Sequence, residues 1–159
     1  MIDAADRSGR HLLIAFPCRY LAAIRRAKEI IEAGSIGRVL AISGTNHGGL
    51  PGGWFLDPEA AGGGAVMDHT VHLADLYRWM LRTEVESVYA EVGSVFSKGI
   101  IDDSGILTLD LSNGVFATID PSWSRGNSYP TWGNVTLKFT GTKATVFEVK
   151  DLGHEDTSR

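Results

Sequence analysis

The sequence predicts an α+β fold in which an open, mostly antiparallel sheet packs against one central helix, preceded by a helix–strand–helix segment. Three observations carry this prediction. A glycine run at 62–64 opens a long and largely apolar helix, residues 64–81. After that helix, several short runs alternate apolar and polar residues, which is typical of strands. Asn113-Gly114 stands between two of these runs and is a strong β-hairpin signal.

The N-terminal part of the chain predicts a helix, a strand and a second helix. Residues 2–8 are expected to form a helix that ends at Gly9. The apolar run 11–16 is typical of a buried parallel strand. Residues 19–33 carry apolar side chains on one side and charged side chains on the other, so they predict an amphipathic helix that ends at Gly34.

The segment before the central helix predicts one strand and one long loop. Residues 39–45 are expected to form a strand, and the glycine- and proline-rich stretch 46–61 a loop in which Trp54 and Phe55 act as anchors. A loop of this length inside a compact domain is usually functional or disordered.

The chain after the central helix predicts four or five antiparallel strands. The short alternating runs share β-branched and aromatic residues and are separated by turn residues. The polar segment 151–159 is expected to be a frayed tail. The predicted strands are 85–97, 105–111, 115–122, 135–140 and 144–149.

Composition bounds the class of protein. The chain has 159 residues, 43% hydrophobic and 21% charged, which is typical of a soluble domain, or of one domain plus part of another. A net charge of -4 without a basic stripe argues against nucleic acid or an anionic membrane as a partner. The single cysteine, Cys18, fits a reducing compartment, and no signal peptide or membrane-spanning run is present, so we expect a cytoplasmic protein.

Ionisable side chains cluster on the central helix. Four side chains share a sector of about 60° on a helical wheel, namely Asp68, His72, Asp75 and Trp79. A histidine can exchange a proton near neutral pH and a nearby carboxylate can orient its ring, so Asp68 and His72 form a candidate acid/base pair. The glycine run beside them would let a substrate or cofactor approach the helix N-terminus.

Structural and chemical alternatives remain open at this stage. Asp68 could instead cap the helix start and pair with His72, while His69 falls among apolar residues and Asp75 suits a cap or a backbone donor. A metal site would draw on Asp68, His69, His72 and His47, although no HExxH or Cys/His spacing supports it, and we expect no metal ligand. A nucleophile pair of Cys18 with His72 is a weaker alternative still.

The run from Gly62 to Asp75, followed by Trp79, resembles the GGG-x-x-x-D-x-x-x-H-x-x-D signature of the glucose–fructose oxidoreductase / inositol dehydrogenase / MocA family. The resemblance extends over nearly the whole chain. It includes the segments 16–20 and 32–39, which resemble the family's interdomain linker, and the later stretches 85–90, 113–114 and 139–144, which resemble its sheet.

The resemblance implies an N-terminal Rossmann domain, a C-terminal open-sheet domain, and hydride transfer between NAD or NADP and a sugar, polyol or related hydroxyl compound. It implies His72 as the acid/base residue and Asp68 as the residue that positions substrate and tunes His72. We further expect substrate contacts from His69, Trp54 and Asn46, and cofactor contacts from Arg19 and Gly63.

Two family features are absent from this sequence: the G-x-G-x-x-G dinucleotide fingerprint and the Glu-Lys-Pro motif. We therefore interpret residues 1–18 as the remnant of a Rossmann domain and residues 19–150 as the substrate and oligomerisation domain. The isolated chain is expected to bind NAD or NADP poorly and to be inactive. A separate Rossmann-domain chain is a candidate partner, and so is a second copy docked on the open sheet face.

Two further functions belong to other classes. The chain could be a non-catalytic binding or oligomerisation module derived from the same family, because an uncovered apolar sheet face needs a partner. A metal-dependent sugar isomerase or hydrolase is the less favoured alternative. Nothing in the loop 46–61 specifies which sugar or polyol would bind.

Overall fold

The central feature is one long helix lying across a six-stranded sheet. The structure, a computed structural model, describes residues 1–152. The helices are α1 (Ile2–Ser8), α2 (Ala22–Glu32), α3 (Pro58–Ala61) and the central α4 (Ala65–Leu81), with 3-10 turns at Pro17–Tyr20 and Gly53–Leu56. The strands are β1 (Val39–Gly49), β2 (Val85–Gly93), β3 (Ser104–Leu111), β4 (Phe116–Arg125), β5 (Gly133–Gly141) and β6 (Thr145–Leu152).

The sheet is mixed but mostly antiparallel, as predicted. Its spatial order is β2-β3-β4-β1-β5-β6. The central pair β1 and β4 is parallel, and every other neighbouring pair is antiparallel. After β1 the chain forms α4 and then the antiparallel strands β2, β3 and β4. This order brings β4 beside β1 in the same direction.

The main core lies between α4 and one face of the sheet. Leu73, Leu76 and Tyr77 of α4 are fully buried there. The Tyr77 hydroxyl donates to the Thr118 carbonyl at 2.9 Å, and burial raises the pKa of that hydroxyl. A Cβ on Gly44 would lie 2.3 Å from the same hydroxyl oxygen, so a glycine is required at this point of β1.

The Asn113-Gly114 turn joins β3 to β4, as the sequence predicts. Gly114 has φ of 78°, and the Leu111 N–H donates to the Val115 carbonyl at 2.9 Å to close the hairpin. The Asn113 side chain also accepts from the Val115 N–H at 3.2 Å. Asx side chains of this kind stabilise tight turns locally.

The predicted strand 11–16 is wrong. No strand is assigned there within the described residues, and Leu13 and Ile14 are 85% and 73% exposed. A strand needs a neighbouring strand for its backbone hydrogen bonds, and none of the six described strands pairs with this segment. Its apolar side chains therefore lie on the surface.

Three other boundaries differ from prediction. β1 continues to Gly49, so the loop is shorter than 46–61 and contains α3, whose N-terminal amides bond to Asp57. The predicted helix 19–33 divides into a 3-10 turn and α2. The predicted tail begins inside β6, and 153–159 lie outside the described residues. None of the described helices is long and apolar enough to cross a membrane.

Candidate active site

The N-terminus of α4 is anchored by an aspartate that lies far away in sequence. Asp102 accepts the Gly64 N–H on Oδ1 and the Val66 N–H on Oδ2, both at 2.8 Å, and its backbone carbonyl accepts the Ala65 N–H at 2.9 Å. A carboxylate there satisfies the free amides and complements the helix dipole. The alternative in which Asp68 caps this helix is therefore wrong.

The glycines before α4 have distinct roles. A Cβ on Gly64 would lie 1.8 Å from the Asp102 carbonyl oxygen, so this glycine admits the anchoring loop. A Cβ on Gly63 would meet only the flexible Met67 side chain, at 3.0 Å. Gly62 has φ of 75° and ends α3. The positive φ thus explains Gly62 and close packing explains Gly64, while Gly63 as a cofactor contact stays a prediction.

Asp68 is held by two rings. Its Oδ2 accepts the indole N–H of Trp123 at 3.2 Å and lies 3.2 Å from Nε2 of His69. Burial acts to raise the pKa of Asp68, but the His69 contact and the Trp123 N–H outweigh it, so the pKa is lowered and the carboxylate stays charged.

His72 lies one turn after Asp68 and is half-buried. Its Nδ1 is buried and has no hydrogen-bond partner within residues 1–152. Burial lowers the pKa of His72, and the charge of Asp68 opposes this only in part. The expectation that Asp68 orients the His72 ring by a direct pair is wrong, because Asp68 contacts His69 and acts on His72 through charge.

His69 and Asn46 hold α4 against β1. His69 is 2% exposed, which confirms its expected burial, and its Nδ1 lies 2.8 Å from the Asn46 carbonyl oxygen. The Asn46 side-chain amide donates in turn to the His69 carbonyl at 3.2 Å. Asn46 is 3% exposed, and its Oδ1 is buried without a partner in the described structure. Substrate contacts from either residue stay predictions.

Arg19 and Asp75 form an ion pair beside His72. The Arg19 Nε donates to Asp75 Oδ2 at 2.7 Å and its Nη2 donates to Oδ1. Asp75 therefore pairs with a guanidinium, not with a cap or backbone donor. This pairing engages two of the five N–H donors of Arg19, so its predicted cofactor role rests on the remaining N–H groups.

Trp54 and Phe55 behave differently from each other. Trp54 is 59% exposed and stacks on Phe55 with ring centroids 4.1 Å apart, so its predicted role as an anchor is wrong. Phe55 contacts the buried Trp123 edge to face at 6.5 Å and fills the anchoring role. Trp54 as a substrate contact stays a prediction.

His47 lies on the opposite face of the sheet from Asp68. Successive strand residues point to opposite faces. The side chain of Asn46 meets α4, whereas His47 lies 3.0 Å from Asp120 and 3.2 Å from Arg125. The four ligands of the metal hypothesis are therefore not brought together. Within residues 1–152 no cluster of three or more His, Cys, Asp or Glu side chains has metal-binding geometry.

Cys18 is a poor nucleophile in this fold. It is buried, and burial together with the charge of Asp75 raises the pKa of its thiol. Only the thiolate is a strong nucleophile, so these shifts disfavour the Cys18–His72 pair.

Sequence reasoning missed Trp123, which donates to Asp68, and Asp102, which accepts the first amides of α4. It also missed a cavity of about 390 Å³ at the end of β4, bordered by Trp123, Arg125, Tyr129 and Trp132. Arg125 lies over the Tyr129 ring at 4.3 Å. The one signal in the sequence was the aromatic density between 123 and 132, which spacing alone does not connect to α4.

Two named dehydrogenases are similar to this chain in sequence. The chain is 31% identical over 130 residues to D-xylose 1-dehydrogenase [NADP(+)] of Haloarcula marismortui, covering 77% of this chain and 36% of that protein. It is 29% identical to myo-inositol 2-dehydrogenase of Thermotoga maritima, covering 92% and 43%. The chain thus spans about two fifths of the length of the curated relatives it matches.

A solved structure and a family model agree with these relatives. The structure of GenD2 from gentamicin A biosynthesis, in complex with NAD, matches with a TM-score of 0.80 and 25% identity, over 92% of this chain and 42% of GenD2. The model of the GFO/IDH/MocA C-terminal domain matches residues 24–147. The match covers most of the chain and includes α4 and five complete strands. The chain therefore belongs to the GFO/IDH/MocA family and is a C-terminal domain of it.

Proposed function

We propose that this chain is the substrate-binding domain of an NAD(P)-dependent oxidoreductase acting on a sugar, polyol or related hydroxyl compound. The observation that carries the proposal is the state of His72 on α4. Its ring is half-buried with a lowered pKa, between two carboxylates that are each held by other partners. Named relatives act on a pentose and on an inositol, which supports the substrate class.

His72 would handle the proton of the reacting hydroxyl. A lowered pKa keeps the ring neutral near pH 7, so it can accept the hydroxyl proton during oxidation and return it during reduction. The nearby negative charge of Asp68 stabilises the imidazolium formed in the first case. The nicotinamide supplies the hydride chemistry when bound, and this chain supplies the proton chemistry.

Two groups that could hold a phosphate already have partners among the described residues. The first amides of α4, an ordinary place for a phosphate, donate to Asp102, and two N–H groups of Arg19 donate to Asp75. We propose that a Rossmann domain, fused or on a separate chain, holds the dinucleotide, and that residues 1–18 are the end of such a domain. The exposed Leu13 and Ile14 would pack there. The chain alone would be inactive, and the reduced, buried Cys18 suits the cytoplasm.

The test uses the chain joined to its Rossmann domain. We expect His72→Ala to lower kcat by about 10²-fold or more, the range typical of a general acid/base. Arg78→Ala is the matched control on the same helix, because Arg78 is exposed and, among residues 1–152, its side chain pairs only with Glu84, at 2.6 Å. Unchanged turnover in the His72 variant would refute the acid/base role.

A second candidate function is a non-catalytic oligomerisation module. It is favoured by large apolar side chains on the sheet face opposite α4, where Ile106, Phe116 and Phe147 are 50%, 55% and 61% exposed. Sedimentation velocity should show a dimer or larger species that Phe116→Lys weakens, whereas Val88→Lys on the other face should not. A strict monomer at every concentration would argue against this function.

A further inference from the structure

The cavity at the end of β4, about 390 Å³ in volume, is lined by aromatic rings and by a single charged side chain among the residues that the structure describes. Its rings are those of Phe96, Trp123, Tyr129 and Trp132, and its charged side chain is Arg125. No carboxylate belongs to the described lining. A volume of this size and a mixture of ring faces with a few polar groups are typical of a site for a small molecule.

The guanidinium of Arg125 is held in a fixed orientation. Its Nε and Nη2 donate to Oδ1 of Asn134 at 3.0 and 2.6 Å, and Nη2 also lies 3.2 Å from Nδ1 of His47. The guanidinium carbon lies 4.3 Å from the centroid of the Tyr129 ring. These contacts order a long, flexible side chain before any ligand arrives, so a ligand that binds it loses less affinity to ordering.

The charge of Arg125 has no anionic partner among the side chains that the structure describes. Both N–H groups on its Nη1 lack an acceptor there. Asp120 lies 3.0 Å from Nε2 of His47 and forms no ion pair with Arg125 in the described structure. An arginine side chain is always charged, and its N–H groups bond most strongly to oxygen anions. The half-buried guanidinium therefore offers a place for a carboxylate or a phosphate.

The cavity adjoins the start of α4. Trp123 lines the cavity, and its indole N–H donates at 3.2 Å to Asp68, one turn before His72. Trp132 also lines the cavity, and its ring meets the ring of His69 edge to face at 6.0 Å. A ligand in the cavity therefore lies beside the residues that surround the proposed acid/base histidine.

We propose that this cavity is a subsite for an anionic substituent, a carboxylate or a phosphate carried by the sugar or polyol, and that Arg125 selects for it. The inference rests on the proposed function, because it extends the same substrate site. The aromatic faces pack against the C–H faces of the ligand, and the Nη1 N–H groups donate to the anionic oxygens. An uncharged sugar leaves the guanidinium without an anion, so Arg125 discriminates by charge.

The first test measures binding and needs no turnover. Isothermal titration calorimetry of the chain joined to its Rossmann domain compares D-glucuronate and D-glucose 6-phosphate with D-glucose, and D-galacturonate with D-galactose. We expect at least one anionic sugar to bind about tenfold or more tightly than its neutral counterpart, as a charge-assisted hydrogen bond predicts. Tighter binding of a uronate identifies the substituent as a carboxylate, and tighter binding of the 6-phosphate identifies it as a phosphate.

Variants of Arg125 show whether the guanidinium causes the preference. Arg125→Gln should abolish the difference between anionic and neutral sugars, whereas Arg125→Lys keeps the charge and should retain part of it. Arg78→Gln is the matched control, because Arg78 is exposed and pairs with Glu84 outside the cavity. Circular dichroism verifies that each variant is folded.

Three results would overturn the proposal. The first is that no anionic sugar binds more tightly than its neutral counterpart. The second is a preference that survives in Arg125→Gln. The third is an equal loss in Arg125→Gln and Arg125→Lys, which would show that the contacts with Asn134 and His47 matter and the charge does not.

The second test separates the subsite from the acid/base role. With the preferred anionic sugar as substrate, Arg125→Gln should raise KM about tenfold and leave kcat within about twofold, because it removes a binding contact remote from the reacting carbon. A fall in kcat with KM unchanged would contradict the subsite. Turnover that survives in His72→Ala refutes the proposed function, whereas the calorimetric preference of Arg125 is judged without turnover.

Discussion

Arg19 and Asp75 join the N-terminal segment to the central helix through a bidentate ion pair. Asp75 is 6% exposed and lies three residues after His72, while Arg19 comes from the 3-10 turn before α2. The guanidinium also lies over the rings of Phe16 and Trp79, at 5.6 and 5.7 Å. A planar cation that binds a carboxylate with two N–H groups and stacks on aromatic rings cannot be replaced by lysine without loss.

Arg19→Met should destabilise the fold because it leaves a buried carboxylate without its cation. We expect a loss of about 1–3 kcal/mol in the free energy of unfolding, below the range for fully buried pairs since Arg19 is partly exposed. Urea denaturation measures this. Arg78→Met is the control, since its pair with Glu84 is exposed and should contribute much less to stability. Equal losses in the two variants would contradict the prediction.

Removal of the Asp102 carboxylate should destabilise the protein about as much as the loss of a strong helix cap. Asp102→Ala leaves the Gly64 and Val66 amides without their acceptor, and we expect a loss of about 1–2 kcal/mol. Asp102→Asn keeps one acceptor oxygen and should lose about half as much. Asp57→Ala, at the start of the short exposed α3, is the matched control and should cost less in the same denaturation experiment. A loss for Asp102→Ala that is no larger than the loss for Asp57→Ala would contradict the prediction.

Two adjacent glycines should respond very differently to alanine. Gly64→Ala forces a Cβ to within 1.8 Å of the Asp102 carbonyl oxygen, so the anchoring loop must move, and we expect a loss of about 3 kcal/mol or more. The Cβ added in Gly63→Ala meets only the Met67 side chain, whose Cβ lies nearest at 3.0 Å, and the substitution should cost less than Gly64→Ala, about 1 kcal/mol. Thermal unfolding followed by circular dichroism compares the two. If Gly63→Ala is stable yet weakens NAD(P) binding in the whole protein, the predicted cofactor contact at Gly63 is supported.

Local patterns predicted the elements whose partners are close in sequence. The glycine stop signals, the apolar stripe of α4 and the Asn113-Gly114 turn all act within a few residues. The sequence therefore predicts α4, β3 and the start of β4 to within one residue, whereas β4 ends three residues later than predicted, at Arg125. The run 11–16 failed because an apolar segment becomes a strand only where a neighbouring strand exists.

The supports of the candidate site could not be predicted, because they lie far from it in sequence. Trp123 reaches Asp68 across 55 residues and Asp102 reaches Gly64 across 38. The helical wheel places Asp68 on the same face as His72. It cannot show that the Asp68 carboxylate contacts the neighbouring His69 instead. Helical spacing predicts which side chains share a face of α4, but packing against the sheet determines which of them come into contact.

Stability should fall as the pH drops below about 6.5, and His72 should cause part of that fall. Its pKa in the folded chain is below the ordinary value, so the unfolded chain binds more protons between the two values. The contribution of His72 to the free energy of unfolding is therefore fully present above about pH 6.5 and is lost as the pH falls through the pKa of His72 in the folded chain. The lowered pKa of Asp68 acts only at more acidic pH, below its own ordinary range.

Urea unfolding at pH 7.5, 6.5 and 5.5 measures this dependence. His72→Gln removes the titrating ring, so the decline of stability between pH 7.5 and 5.5 should be shallower than in the unsubstituted chain. His11→Gln is the control, because His11 is exposed and has no described side-chain contact with α4, and its decline should match the unsubstituted chain. A steeper decline in His72→Gln would mean that folding raises the pKa of His72, which would contradict the lowered pKa on which the neutral ring in the proposed function rests.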